Sequence, residues 1–135
     1  MRSTISFLVI IMLSGCGDGI TLYSAKGTIL LENGNPVTQG TIECESIDNS
    51  KKLNASATIK KDGSFELETM GKKGIVAGKH KVTLIEPAGN SDLPLNQQPK
   101  PQFNTKYRSY DTSDLTITII PNETNNLNLK VAPAR

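Results

Sequence analysis

Tryptophan is absent from the chain, and aromatic side chains make up only 4% of its 135 residues. Platforms that stack nucleic-acid bases or sugar rings depend on such side chains, so this composition argues against both. Histidine occurs once, at His80. A zinc site would need further ligands that the sequence does not place near it, and a Ser/His triad built from Ser113 and His80 has neither elbow glycines nor an orienting acid in a recognisable frame. Asp62-Gly63 is not followed by the Asp/Asn ladder and closing Glu of a calcium loop. Catalytic, metal-binding and cofactor-binding residues are therefore all read as none. The formal charge is only +2, with lysines and acids interspersed, which supplies no electrostatic case for nucleic acid. Two cysteines, Cys16 and Cys44, do not make a disulfide framework. No amphipathic helix of useful length can be traced.

Long apolar runs are missing too. The longest stretch, Ile5 to Leu13 after Met1-Arg2, is well short of the roughly 20 residues that span a bilayer as a helix. A short positive start and an apolar segment of this length read as an export signal. It ends in Leu13-Ser14-Gly15-Cys16, which resembles the bacterial lipobox, where small residues precede a cysteine that becomes acylated. The resemblance implies a signal peptide over residues 1–15, lipidation at Cys16, and a membrane partner reached through the N-terminal lipid. Gly17 rather than Asp follows the cysteine, which in the best-known sorting rule resembles release to the outer membrane. Cleavage leaves 135 − 15 = 120 residues, one domain's worth, with a short tether at 16–24 and a folded domain at 25–135.

What remains alternates with a period of two. Ala25, Gly27, Ile29 and Leu31 share one face of a first strand, and Ile42 and Cys44 lie inward on a second running Val37 to Ile47. Cys44 on a core face reads as a buried, inert thiol. A third strand, about Leu53 to Lys60, leads into Asp62-Gly63. These two residues suit a two-residue hairpin turn, so the flanking runs should pair antiparallel, with Phe65, Leu67 and Thr69 facing in. Gly71 to Gly74 reads as a permissive loop. Val82 and Leu84 mark a further inner face, with His80 half-buried beside them. Pro87 to Pro101 holds four prolines and cannot be a central strand, so it reads as a long exposed loop, either a tolerated insertion or, if the fold has a functional surface, the first choice for it. Tyr107, Arg108 and Tyr110 form a second candidate surface, since Tyr and Arg are favoured where partners bind, although a Tyr packed over the end of the sandwich is the preferred reading. Leu115, Ile117 and Ile119, then Leu127, Leu129 and Val131, complete seven short strands, the pattern of an all-β sandwich.

Gly27-Thr28-Ile29, Asn33-Gly34-Asn35-Pro36-Val37, Gly40-Thr41-Ile42, Lys61-Asp62-Gly63-Ser64-Phe65-Glu66-Leu67 and Ala77-Gly78-Lys79-His80-Lys81-Val82-Thr83-Leu84 follow one another in this order. The series resembles the carboxypeptidase regulatory-like, transthyretin-like domain of small bacterial lipoproteins. So do Lys106-Tyr107, Thr112 to Ile119, and Asn126-Leu127-Asn128-Leu129 near the end of the chain. The resemblance implies a seven-stranded antiparallel Greek-key β-sandwich of the transthyretin (prealbumin) type. It also implies a non-enzymatic binding or structural module in the cell envelope, with another envelope protein or a polysaccharide as partner. The alternatives are a small-molecule hydrolase of transthyretin-like type, which needs more histidine than one, and a carbohydrate-binding module, disfavoured by the missing Trp. His80 stands where the group commonly has an aromatic residue, and Cys44 lies beside a usually larger inward position. Both imply a locally repacked core.

Overall fold

The computed structural model describes residues 19–48 and 52–135. The signal peptide expected at 1–15, Cys16 and the first part of the expected tether lie outside the described residues, as do Asn49, Ser50 and Lys51 of the loop that follows the second strand. Nine strands are formed among the described residues: β1 (Ala25–Leu31), β2 (Thr41–Ser46), β3 (Asn54–Thr58), β4 (Ser64–Glu66), β5 (Glu68–Thr69), β6 (Lys72–Lys73), β7 (Gly78–Ile85), β8 (Thr116–Ile119) and β9 (Asn125–Val131). Among the described residues there is no α-helix, and none long and apolar enough to cross a membrane.

Two sheets enclose one core, a sandwich-like all-β arrangement. One has the order β4-β1-β9, the other β6-β5-β3-β2-β7-β8. Alternation along each strand decides which side chains fill the space between them. In the larger sheet, Ile42 lies opposite Leu84 and Cys44 opposite Val82, and all four are buried. The smaller sheet contributes Ile29, Phe65, Leu129 and Val131 to the same cluster. Burial pushes the Cys44 thiol up to about 12, with the nearby Glu43 carboxylate adding to the effect. A thiol so held is not a nucleophile near neutral pH.

Three features depart from the sequence reading. The turn at Lys60 to Ser64 spans three residues rather than two: Gly63 N–H donates to the Lys60 carbonyl and Lys60 N–H to that of Ser64, each at 2.9 Å. The run that follows it then changes sheets. β4 pairs with β1, Thr28 opposite Ser64 and Lys26 opposite Glu66, and only at Glu68 opposite Ser56 does β5 rejoin β3. Phe65, Leu67 and Thr69 still point inward, because both sheets border the same core. Second, the fold is not wholly antiparallel. β9 runs parallel to β1, from Ala25 opposite Asn125 to Leu31 opposite Val131. Third, the expected loop at 71–74 is partly strand: Lys72–Lys73 form β6, joined to β5 by the two-residue turn Met70-Gly71, both residues of which have positive φ.

His80 is fully buried rather than half-buried. Its Nε2 lies 2.9 Å from the Val76 carbonyl oxygen and so donates to it, while Nδ1 is buried without a hydrogen-bond partner among the described residues. Ser46 on β2 and Ile117 on β8 flank it in register. Desolvation holds the imidazole below its ordinary value, opposed by the Val76 carbonyl and the Asp48 carboxylate. The unfolded chain takes up this proton near pH 6.5, whereas the folded chain resists it until lower pH. Stability is therefore fullest above about pH 6.5 and falls as the pH drops through that value. Thermal melts at about pH 7.5 and about pH 5 should show a larger loss for the natural chain than for His80→Phe. Equal losses would remove His80 as the cause.

The strands give the sandwich two distinct ends. β1, β3, β7 and β9 begin at the end where the N-terminal segment enters, and β2, β5 and β8 finish there. Tyr23, just before β1, already belongs to the fold: it exchanges two backbone hydrogen bonds with Ile75, at 2.9 and 3.0 Å. The described fold therefore takes in residue 23, ahead of the expected domain start at 25.

Candidate interaction surface

The far end of the sandwich carries the connection from β7 to β8, which includes Pro87 to Pro101. From Ala88 to Gln97 it is exposed throughout, yet it is internally tied. The Gln98 side chain reaches back across the loop, its amide oxygen accepting from Asn90 N–H at 2.9 Å. Its Nε2 donates to the carbonyl of Leu93 at 2.8 Å and to that of Asn90. Asn90 in turn holds Asp92 N–H through its own side chain at 3.0 Å. Pro94 leads into a single 3-10 turn at Leu95–Gln97.

The base of the loop is fastened to the sandwich. Gln102 N–H donates to Glu86 Oε1 at 3.0 Å, so the two ends of the loop are joined to each other. The Gln102 amide exchanges two hydrogen bonds with Thr38, at 2.7 and 2.8 Å. Phe103 then enters the core completely. A loop fixed at its base and stapled across its middle has little entropy left to lose on binding. At its tip Leu95 is 93% exposed, with Leu93 beside it. An open groove of about 540 Å³ runs past the loop's base along Thr38, Gly40, Thr58, Lys60 and Pro87.

The second expected patch is divided by the fold. Tyr107 is buried, meets Phe103 edge-on with ring centroids 6.5 Å apart, and accepts Ala132 N–H on its hydroxyl at 2.9 Å. Lys106 covers the ring with its Nζ 5.0 Å from the centroid while holding Asp114 at 2.9 Å. Tyr107 thus seals the end of the sandwich. Arg108 is exposed. Tyr110 is half-buried and lines a cleft of about 210 Å³ with Glu45 and Lys81. Burial holds its phenol above its ordinary value, opposed by the Thr83 hydroxyl and reinforced by Glu43 and Glu45. The three residues do not form one surface.

Ser113 donates its hydroxyl to the Val82 carbonyl at 2.5 Å. Among the described residues no three His, Cys, Asp or Glu side chains are grouped so as to hold a metal ion. Leu95 and the Gln98 staple carried no periodic signal in the sequence, and only the density of prolines pointed to this segment. Comparison of the chain with protein-family models, with curated proteins and with solved structures gives no match.

Proposed function

We propose that the protein is a lipid-anchored component of the cell envelope, held through Cys16 on the outer membrane, whose sandwich binds or spaces a further envelope component, protein or polysaccharide, without catalysing a reaction. Two or more acyl chains on one cysteine would anchor it stably, where a single chain would not. We propose further that the fold is the Greek-key, transthyretin-like sandwich. Taking β4 and β5 as one strand that switches sheets, and β6 as the return of a side hairpin, leaves seven principal strands, which supports that reading.

The observation that carries the binding proposal is the stapled loop with Leu95 at its tip. An apolar side chain on a braced, solvent-facing loop is suited to fill a partner's pocket. Leu95→Asp changes only an exposed position, so stability should stay within about 0.5 kcal/mol. Recovery of the partner from solubilised envelopes should fall sharply with this variant. If natural chain and variant recover the same partner equally, the loop is not the binding surface.

A further inference from the structure

Besides Leu93 and Leu95, the exposed large apolar side chains gather mainly at the other end of the molecule. Ile20 (40% exposed), Ile47 (51%), Met70 (71%) and Ile120 (52%) lie on four different segments: the N-terminal approach, the start of the β2–β3 loop, the β5–β6 turn and the β8–β9 loop. Strand register brings these segments to one end. Ala25 at the start of β1 lies opposite Asn125 at the start of β9, and Gly78 at the start of β7 opposite Ile119 at the end of β8. Ser46 at the end of β2 is opposite His80. Backbone contacts join the segments to one another: Asn125 N–H donates to the Ser24 carbonyl at 2.8 Å, and Tyr23 pairs with Ile75. Lys79 N–H donates to Asp48 Oδ2 at 2.9 Å.

This is also the end at which the chain enters. Gly19 lies three positions after Cys16, at most about 11 Å of extended chain. An acyl group on Cys16 would therefore hold these four side chains within reach of the bilayer. We infer that this end of the sandwich rests on the membrane surface, with Ile20, Ile47, Met70 and Ile120 in the interfacial layer. The inference rests on the proposed anchor at Cys16. Lys51, Lys52, Lys72, Lys73 and Lys79 on these segments are opposed by Asp18, Asp48, Glu68 and Glu123, a net charge of only +1, so the contact is mainly apolar rather than electrostatic. It needs no anionic lipid and is insensitive to salt. The seven residues of β1 span about 23 Å, which lifts the Leu95 loop clear of the bilayer on the opposite side.

Because the chain has no tryptophan, a single introduced indole reports one position. Full-length protein purified from membranes as Met70→Trp, Ile120→Trp or Leu95→Trp would be reconstituted into phosphatidylcholine vesicles with brominated acyl chains. Met70→Trp and Ile120→Trp should lose most of their emission and shift to the blue, whereas Leu95→Trp should keep its emission, at low and at high salt alike. Equal quenching at all three positions would mean no fixed orientation. Absence of quenching at 70 and 120 would mean that the domain stands off on its tether, and a blue shift that grows with protein density without quenching would mean contact between copies. Each of these three results overturns the inference. The mass of the N-terminal peptide, read on the same sample, separates failure of the anchor from failure of the docking: a bare Cys16 overturns the anchor, while loss of quenching beside an acylated Cys16 overturns the docking alone.

Discussion

Gly27→Ala should destabilise the domain severely. A β-carbon at this position would lie 1.8 Å from the Leu127 carbonyl oxygen and 2.6 Å from its carbonyl carbon. Gly27 sits in the middle strand of the smaller sheet, opposite Phe65 on one side and Leu127 on the other. The clash is with backbone, so no rotamer change relieves it, and β1 and β9 would have to separate along the parallel seam that holds Ile29, Leu129 and Val131 in the core. Disruption of this kind belongs among the exceptional substitutions, costing about 4 kcal/mol or more, against a total stability of about 5–15 kcal/mol for a domain. The melting temperature should drop by about 15 °C or more. A drop of only about 4 °C, the size expected of an ordinary 1 kcal/mol substitution, would mean that the two strands are not in such close contact.

A comparison of two turns tests the path by which the chain changes sheets. Gly63 has φ +81°, and a β-carbon there would meet the Ile29 carbonyl oxygen at 2.7 Å and Pro36 Cβ at 3.1 Å. Its own carbonyl accepts Ile29 N–H at 2.9 Å, so the turn is locked against β1. Gly71 also has positive φ, +75°, yet faces open space. Gly71→Val should cost the conformational penalty of a left-handed residue, about 1–2 kcal/mol. Gly63→Val adds steric overlap to that penalty and should cost about 3 kcal/mol or more. Equal melting shifts would contradict the packing of the turn against β1.

The inward and outward faces of the strands were legible in the sequence because a period of two is a local property. Ile42, Cys44, Phe65, Leu67, Leu129 and Val131 all face the core as the alternation requires. Strand partners were not legible in this way. The alternation of Phe65, Leu67 and Thr69 is satisfied equally by pairing with β1 or with β3, and only the three-dimensional course of the chain decides. The parallel seam between β1 and β9 joins residues about a hundred positions apart, for which no local pattern speaks. Tyr107 shows the same limit at the candidate surface. Its neighbours Arg108 and Tyr110 give it the composition of a binding patch, but a hydrogen bond from Ala132 and an edge contact with Phe103 place it in the interior. The proline-rich loop was recognisable by what it could not be, whereas the staple from Gln98 to Asn90 depends on two amides meeting across eight residues.

The proposed anchor and the proposed orientation of the molecule both depend on the N-terminus. The most direct measurement is the mass of the mature N-terminal peptide from protein extracted from the membrane fraction. The account predicts a chain that begins at Cys16 and carries acyl groups, and a Cys16→Ser variant that accumulates as an unprocessed precursor without lipid. A mature chain with an unmodified Cys16, or one that still begins at Met1, would contradict it.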